Sequence, residues 1–399
     1  MNMSSSNDKK SKKILLISYP LFSHNLAMKP YIEVLLNKGF CIDYFNTEDY
    51  ANFISNENFN FIGYENYSGL GTDTLNKDFS IFKLGLSILE SYEKTEAQIE
   101  NHIIGERPDF IIHPKFGFVA KLLASKYQIP AINMTSGFVF DPDIVFNFHK
   151  GIDRKNSVSI GNIFDGKTLS SKYEKILKEY NLFSSNRNDL YINEESLHIV
   201  MNTPEFQPDL ESLETNYKFL GMSFDRYMED SKEDLIYVSL GTVFNKDLKL
   251  FENLIKTLEK FDSKVIIYAN INEADLPEGF KLAKLGKQEE YLQKAKLFIT
   301  HGGACSIQES LFYKTPMIVI PQTIEHEING NNVVQNNFGL QILMNELDES
   351  ILTQYVSKIY DSKDITNALQ EYNSRYDLIN NKTSFLKFVS NLIEQQSSV

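Results

Sequence analysis

The sequence predicts an α/β protein with two doubly wound parallel sheets in tandem. Its N-terminal half opens with a short apolar run at residues 14–18, a helical stripe at residues 28–36 and a second apolar run at residues 41–45. A strand, a helix and a strand within about 30 residues form a βαβ unit, which implies a parallel sheet with right-handed crossovers. The same alternation starts again at residue 235, after a polar, acidic stretch at residues 225–234 that we interpret as a linker.

Length and composition agree with two domains of ordinary size. The chain has 399 residues, and its 40 Lys and Arg against 53 Asp and Glu give a formal net charge of −13. A domain takes roughly 100–200 residues, so the length is sufficient for two full cores. The negative charge argues against a nucleic-acid partner, because neutralising phosphates requires a basic surface.

The N-terminal segment and the cysteines predict a cytoplasmic protein. Residues 1–13 are polar and lysine-rich, and the apolar run that follows is too short for a signal peptide, so we expect a disordered tail before a first buried strand. The sequence contains no run of about 18 apolar residues that would span a membrane. Its two cysteines, Cys41 and Cys305, supply neither a disulfide framework nor a cysteine-based zinc site.

Further strands are predicted by short apolar runs. In the N-terminal half we expect strands at residues 109–112, 131–134 and 198–201, the last of them being the final strand of this domain, and a helix at residues 119–127. In the C-terminal half the predicted strands are residues 235–240, 264–268, 297–300 and 317–320. Ligands of doubly wound domains bind outside the carboxyl ends of the strands, so we expect the active site in the cleft between the two domains.

The most informative segment is the loop after the predicted strand at residues 297–300. It reads His301-Gly302-Gly303-Ala304-Cys305-Ser306, and a helix is expected to begin near Ser306. Glycines let a backbone approach a ligand closely, and the free N–H groups and the dipole of a helix N-terminus favour phosphate. Taken alone, the segment is equally consistent with a Gly-Gly turn that only joins a strand to a helix.

The residues that follow favour the phosphate interpretation. Glu309 lies one helical turn after Ser306, and Pro316, Pro321, Glu325-His326 and Asn331 come after it. This run, from His301 to Asn331, resembles the nucleotide-sugar signature of family 1 glycosyltransferases, the group that contains macrolide and plant secondary-metabolite glucosyltransferases. Because the spacing is kept across some 30 residues, the match is specific.

The resemblance covers nearly the whole chain and implies a GT-B fold, in which two Rossmann-like domains face each other across a cleft. It implies an acceptor-binding domain at residues 14–224, a donor-binding domain at residues 235–380, and a last helix within residues 381–399 that crosses back to the first domain. The implied contacts to the nucleotide sugar are Gly241, Thr242, Leu285, Gln288, His301, Gly303, Ala304, Cys305, Ser306, Glu309, Glu325 and His326.

The resemblance also implies a reaction. In this family an acceptor hydroxyl attacks C1 of the sugar, a nucleoside diphosphate leaves, and the anomeric centre inverts. His24, in the loop after the first strand, would be the base, since imidazole titrates near neutral pH. His301, Ser306, Thr242 and a helix N-terminus would stabilise the leaving group without a metal or a cofactor. The nucleotide sugar, expected to be a UDP-hexose, is then a co-substrate.

Four positions depart from the family pattern. Pro114 stands where the family has an Asp that supports the histidine, so either another acid, from the acceptor or from residues 141–143, replaces it, or catalysis is weakened. Leu285 stands where an aromatic ring stacks on uracil, which leaves dTDP or another nucleotide as an alternative to UDP. His326 replaces a Gln that reads sugar hydroxyls, and Cys305 replaces a polar residue and is expected to be a buried filler.

The expected acceptor is small, lipophilic and hydroxylated, such as a macrolide, a phenol or a peptide product. Phe138, Phe140 and Phe146 cluster without a helix or strand period, and they form either an apolar acceptor pocket or ordinary core. Two other functions are compatible with the sequence: a catalytically impaired GT-B protein that binds a ligand or a partner, and a glycosyltransferase of lipids or the cell envelope. The sequence gives no oligomeric state.

Overall fold

Two parallel sheets form the framework of the chain, one in each predicted domain. The structure, a computed structural model, describes residues 12–71, 81–139, 160–182, 189–208, 210–213, 216–224, 232–241, 247–378 and 380–396. Within these residues, every pair of neighbouring strands in both sheets is parallel.

The N-terminal sheet contains the strands β1 (Lys13–Ile17), β2 (Cys41–Asn46), β3 (Phe59–Gly63), β4 (Phe110–Pro114), β5 (Ala131–Thr135), β6 (Leu197–Val200) and β7 (Tyr217–Phe219). Their order across the sheet is β3-β2-β1-β4-β5-β6-β7. The strand order therefore reverses between β1 and β4. At such a switch point the carboxyl ends of the two strands leave a crevice between their connections, which is where doubly wound domains bind ligands.

The C-terminal sheet contains the strands β8 (Leu235–Ser239), β9 (Lys264–Tyr268), β10 (Phe280–Leu282), β11 (Leu297–Thr300), β12 (Met317–Val319) and β13 (Gly339–Gln341). Their order is β10-β9-β8-β11-β12-β13, so this sheet has its switch point between β8 and β11. The strand β11 leads directly into the His301 loop, which places that loop at the switch point.

Helices cover both faces of each sheet. They are α1 (Phe22–Asn37), α2 (Ile81–Gly105), α3 (Phe118–Tyr127), α4 (Ile160–Glu179), α5 (Asp189–Ile192), α6 (Leu248–Leu258), α7 (Gln288–Lys294), α8 (Ala304–Phe312), α9 (Ile324–Gln335), α10 (Glu349–Asp361), α11 (Lys363–Arg375) and α12 (Asn381–Gln396). In the described part of the chain, none of these helices has the length and apolar character needed to cross a membrane.

The central strand β1 shows why the apolar runs predict buried strands. Successive side chains of a strand point to opposite faces of the sheet. Accordingly Ile14 and Leu16 join one hydrophobic core, whereas Leu15 and Ile17 join the other. All four side chains are at most 3% exposed, because both faces of the sheet are covered by helices, and this requires an apolar run rather than an alternating pattern.

The sequence analysis does not predict the strands at the edges of the two sheets. The expectation that residues 198–201 form the final strand of the N-terminal domain is wrong, because β7 pairs with β6 at the sheet edge. The strands β7, β10 and β13 are only three residues long, and β3 is half exposed. Such segments lack the long apolar run that marks a central strand.

The two domains are held together by buried contacts in the C-terminal segment. The Tyr372 hydroxyl lies 3.2 Å from Thr203 Oγ1 in the N-terminal domain and 3.2 Å from Gln308 Oε1 in the C-terminal domain. Phe224, at the end of the first domain, stacks on Phe312 of α8 with ring centroids 4.1 Å apart. These contacts join the N-terminal domain to the C-terminal domain.

The last helix, α12, packs on α1 of the N-terminal domain. Its Phe385 is fully buried and meets the Tyr31 ring edge to face, with centroids 5.1 Å apart. At the start of α12, Asn381 donates to the carbonyl oxygens of Leu220 and Met222, at 2.9 and 3.0 Å. The C-terminal end of the chain is thereby tied to the N-terminal domain.

Truncating Phe385 tests this packing. We expect Phe385→Ala to lower the free energy of unfolding by about 3–5 kcal/mol, because it removes a buried ring and leaves a cavity between α1 and α12. Lys387→Ala, an exposed position on the same helix, is the matched control and is expected to change stability by less than about 0.5 kcal/mol. Urea unfolding of the three proteins measures both values, and equal losses would show that α12 does not depend on this contact.

Candidate active site

The carboxyl ends of both sheets face one cavity of about 330 Å³. The N-terminal domain contributes the start of α1 with His24 and the turn after β4 with Lys115. The C-terminal domain contributes Gly241 after β8, the His301 loop after β11, and Glu325 in the first turn of α9. Residues far apart in the sequence are therefore walls of the same space.

The N-terminus of α8 opens into this cavity. Gly303 is the N-cap residue, and no side chain caps the helix. The first N–H groups of a helix have no partner inside it, so at this end they are available to a ligand. Together with the positive end of the helix dipole, they form a site suited to an anion such as a phosphate.

Two glycines hold the His301 ring against this helix end. A Cβ atom at Gly241 would lie 2.8 Å from the imidazole, and one at Gly303 would lie 2.6 Å from it. Any side chain at either position would displace the ring, and Gly241 also has a φ of +77°, which favours glycine. The ring in addition meets His326 edge to face, with centroids 4.5 Å apart.

Both histidines of this pair are kept neutral by their surroundings. Burial lowers the pKa of His301 well below its usual range, and the neighbouring His326 adds to this effect. Burial also lowers the pKa of His326 to about 3. At pH 7 the His301 ring is therefore neutral, its N–H bonds to the Ser239 backbone carbonyl oxygen, and the positive potential of the site comes from the helix.

Gln288 and Glu309 form a second polar group beside Ser306. Glu309 lies one turn further along α8, and Gln288 belongs to α7. The Gln288 side-chain amide donates to Ser306 Oγ at 3.0 Å and to the Glu309 carboxylate, and its oxygen accepts from the Tyr237 hydroxyl at 3.3 Å. Burial raises the pKa of Glu309 to about 8, against the stabilising bond from Gln288. This pKa favours the protonated carboxyl group at neutral pH, which presents both a donor and an acceptor.

His24 lies in the first turn of α1 rather than in a loop, which corrects the sequence-based prediction. Its Nδ1 atom is 3.4 Å from the Tyr19 hydroxyl. Pro114 ends β4, as predicted, and brings no carboxylate. Among the described residues the hydrogen-bonding partner of the imidazole is a phenol, and residues 141–143, the alternative source of an acid, lie outside them.

The residue after Pro114 brings a buried cation to the cavity instead. The Lys115 side chain is 3% exposed, and its Nζ lies 3.9 Å from Glu325 Oε1 across the cleft. It also lies 5.3 Å from the centroid of the Phe116 ring, and Phe116 has a φ of +69°, a conformation that is rare outside glycine. Burial and the charge of Lys115 together lower the pKa of His24 well below its usual range.

The structure brings most of the predicted site residues to this cavity. They are His24, Gly241, Leu285, Gln288, His301, Gly303, Ala304, Cys305, Ser306, Glu309, Glu325 and His326. Thr242, Phe140 and Phe146 lie outside the described residues. Their individual roles stay predictions.

Several details differ from the sequence-based expectation. Phe138 is fully buried in the N-terminal core, beneath Lys115, and it is not part of the cavity wall, because its ring is covered by the packing of the domain. The motif that begins at His301 was expected to end at Asn331. In the structure it is Asn329 that contacts the His301 loop, because its side chain donates to the Gly302 carbonyl oxygen at 3.0 Å. Asn331 instead accepts from Gln341 at 3.2 Å.

Two of the departures from the family pattern have clear environments. Leu285 is 65% exposed at the rim of the cavity. The Cys305 thiol lies 3.4 Å from the Ser23 carbonyl oxygen of the opposite domain, and burial raises its pKa to about 12. Cys305 is half-buried and lines the cavity, so it is a contact between the domains rather than the fully buried filler expected from the sequence.

Comparisons with known proteins agree with this architecture. A sequence model of the glycosyltransferase family 28 C-terminal domain matches residues 283–383, which include α8 and the His301 loop. The uncharacterized UDP-glucosyltransferase YojK of Bacillus subtilis strain 168 is 23% identical over 381 residues, covering 90% of this chain and 92% of its own. The structure of the glycosyltransferase of kitacinnamycin superposes with a TM-score of 0.79 at 19% identity, over 97% of this chain and 99% of that one. Glycosyltransferase VinC, solved in complex with dTDP, gives a TM-score of 0.72 at 13% identity, over 96% and 100%.

The chain has the fold of the GT-B glycosyltransferases. The matched family model covers residues 283–383, part of the C-terminal domain, and the similar structures cover both domains and the cleft between them. The GT-B fold predicted from the sequence is therefore confirmed, and so is the assignment of the chain as a glycosyltransferase.

The sequence analysis missed several side chains of this glycosyltransferase that line or support the cavity. Tyr19, Lys115 and Tyr268 are among them. A signal was present for two of them, because Lys115 follows β4 and Tyr268 ends β9, and the carboxyl ends of parallel strands are where such folds place functional groups. No sequence signal joins Tyr19 to His24, since their contact depends on how α1 leaves the sheet.

The charge of Lys115 gives a prediction for His24. Because a nearby cation disfavours the imidazolium, Lys115→Met is expected to raise the pKa of His24, so that the ring takes up its proton at a higher pH. Lys29→Met, a partly exposed lysine of α1, is the matched control and is expected to leave the pKa unchanged. Titration of the His24 imidazole by NMR measures the values. A pKa that stays constant or falls in Lys115→Met would contradict the arrangement.

Proposed function

We propose that this glycosyltransferase moves a hexose from a nucleotide sugar, with a UDP-hexose as the favoured donor, to a hydroxyl group of a small lipophilic natural product. We further propose that the transfer inverts the anomeric centre and needs no metal ion. The observation that carries the proposal is the open N-terminus of α8, which meets the His301 ring and the Gln288–Glu309 pair in one interdomain cavity.

The cavity offers its hydrogen-bond donors mainly to the diphosphate of the nucleotide sugar. The N–H groups at the start of α8 and the Ser306 hydroxyl are donors that line this part of the cavity. Donors that are already in place where negative charge develops stabilise a leaving group without reorganisation. On this proposal, the helix dipole takes the part that a metal ion plays in other phosphate sites.

The nucleoside is assigned to the other end of the cavity. Glu309 and Gln288 offer paired donors and acceptors that suit the vicinal hydroxyls of a ribose. Tyr268 and the exposed Leu285 lie at the same end and offer apolar contact to a base. The name of YojK supports UDP, and the dTDP bound to VinC keeps thymidine nucleotides as the second choice.

The proposed chemical step uses groups from both walls of the cleft. The acceptor hydroxyl loses its proton to His24 Nε2, its oxygen forms a bond to C1 of the sugar, and the bond from C1 to the phosphate oxygen breaks with its electron pair going to the diphosphate. The base belongs to the N-terminal domain, and the anion site belongs to the C-terminal domain. An acceptor held beside His24 would therefore attack from the side opposite the leaving group, which supports inversion.

The acceptor is assigned to the N-terminal wall. That wall is mostly apolar beside His24, with Phe22, Leu26, Leu84 and Phe116 lining it. An apolar wall with few polar groups suits a lipophilic acceptor that presents one hydroxyl. The structurally similar glycosyltransferase of kitacinnamycin is named for a natural product. This similarity supports a natural product as the acceptor here.

Loss of the proposed base tests the reaction. We expect His24→Ala to lower kcat by about 10²–10⁴-fold with UDP-glucose and a panel of phenolic and macrolide acceptors, while the KM for the donor changes little, because general base catalysis is lost and donor binding is not. His102→Gln is the control, since this histidine bonds to Asp43 on the far side of the N-terminal domain.

Chromatography of the glycoside measures turnover, and three results would contradict parts of the proposal. An undiminished rate in His24→Ala would remove His24 as the base. A product that retains the α configuration of UDP-glucose, seen in the anomeric proton coupling by NMR, would refute inversion. A rate that collapses in EDTA and recovers with Mg²⁺ would refute metal independence; in the described residues no cluster of three or more His, Cys, Asp or Glu suited to a metal ion occurs.

A further inference from the structure

The hydrogen bonds around His24 form a chain without a carboxylate. The Tyr19 hydroxyl donates to the backbone carbonyl oxygen of Lys115, and the same hydroxyl lies 3.4 Å from His24 Nδ1. The two rings are tilted by 58° with centroids 5.8 Å apart. Tyr19 itself is only 6% exposed, so the hydroxyl is held in the domain interior behind the imidazole.

We propose that Tyr19 is the positioning residue of His24, and that it takes the place of the carboxylate that Pro114 excludes. This inference rests on the proposed role of His24 as the base. Tyr19 does not touch the substrate; it acts through the imidazole by fixing the ring and the position of its proton.

The proton count determines the direction of each bond. A phenol has a single proton, and here it is donated to the Lys115 carbonyl oxygen, which can only accept. The hydroxyl can therefore meet His24 only as an acceptor, so Nδ1 must carry the imidazole proton. The lone pair is then on Nε2, the ring nitrogen that the proposed reaction requires as the base.

The backbone at Tyr19 is anchored by a second buried side chain. Asn25, fully buried in the next turn, donates to the Tyr19 carbonyl oxygen at 2.9 Å and accepts from Ser18 Oγ at 2.8 Å. The Tyr44 hydroxyl of β2 donates to the same Asn25 oxygen at 2.8 Å. Because β1, β2 and the start of α1 are tied together in this way, the Tyr19 ring and the His24 ring keep a fixed relation.

This arrangement differs from a carboxylate support in its charge. A neutral phenol orients the imidazole without providing a negative charge to balance the imidazolium, and the charge that acts on His24 is that of Lys115, whose Nζ lies 3.9 Å from Glu325 Oε1. The effect of Tyr19 on the rate is therefore expected to equal the contribution of one neutral hydrogen bond, about 2–10-fold. This is much smaller than the roughly 10⁴-fold effect of an aspartate in a hydrolase triad.

The test uses Tyr19→Phe, which keeps the ring and removes the hydroxyl. We expect kcat to fall by about 2–10-fold with an unchanged donor KM, and we expect no further fall when the same change is made in His24→Ala, because Tyr19 acts only through His24. Tyr64→Phe is the matched control. Its hydroxyl donates to the Ser18 carbonyl at 2.6 Å beside the same strand end, and it does not line the cavity.

An NMR measurement separates this inference from the proposed function. In ¹⁵N-histidine-labelled protein, the His24 signals are assigned by their loss in His24→Ala, and the wild-type ring is expected to carry its proton on Nδ1. In Tyr19→Phe the Nδ1–H population should fall, with a thermal midpoint that changes no more than in Tyr64→Phe.

Each outcome has a definite meaning. A wild-type His24 ring with its proton on Nε2, or a tautomer and rate unchanged in Tyr19→Phe, would overturn the role of Tyr19. A correct tautomer in a protein whose His24→Ala variant is fully active would uphold the contact with Tyr19 and refute His24 as the base instead. Equal rate losses in Tyr19→Phe and Tyr64→Phe would reduce Tyr19 to a structural residue.

Discussion

The relation between the two domains is the constraint on which the candidate site depends. Neither domain forms the cavity alone. His24 and Lys115 belong to the N-terminal domain, and His301 and Glu325 belong to the C-terminal domain. The Tyr372 hydroxyl, shared between Thr203 and Gln308, and the packing of α12 on α1 hold the two sheets with their carboxyl ends facing. A shift of about 1 Å between the domains would move the proposed base, and the acceptor hydroxyl beside it, away from the sugar carbon that is attacked.

The C-terminal wall of the cavity needs few charged groups because its polar groups are already in place. Burial keeps His301 and His326 neutral and raises the pKa of Glu309 to about 8, and the helix α8 provides a positive end without a charged side chain. Two glycines are required because the imidazole lies directly against the backbone. On the N-terminal wall, Lys115 brings a buried cation to the cavity beside His24.

The sequence predicted which residues of the C-terminal domain line the cavity, because those residues are close together along the chain. The motif from His301 to Glu325 occupies one loop, the helix α8, the strand β12 and the first turn of α9, so its spacing along the chain translates directly into geometry. The acceptor side depends on contacts between distant segments. For Phe138 the sequence left an acceptor pocket and ordinary core as alternatives, and the residue lies in the core. Tyr19 was overlooked although it contacts the predicted base. The edge strand β7 was missed because three residues at a sheet edge need no apolar run.

The central claim is that the space between His301, the start of α8 and the Gln288–Glu309 pair holds the nucleoside diphosphate of the donor. The most direct measurement is a thermal-shift series with UDP, dTDP, GDP and ADP at millimolar concentration, checked by isothermal titration calorimetry. Selective stabilisation by a uridine or thymidine nucleotide is predicted, worth about 2.7 kcal/mol at 100 times its dissociation constant, and it should weaken in Glu309→Gln. If no nucleotide stabilises the protein and none releases heat, the cavity is not a donor site and the account is wrong.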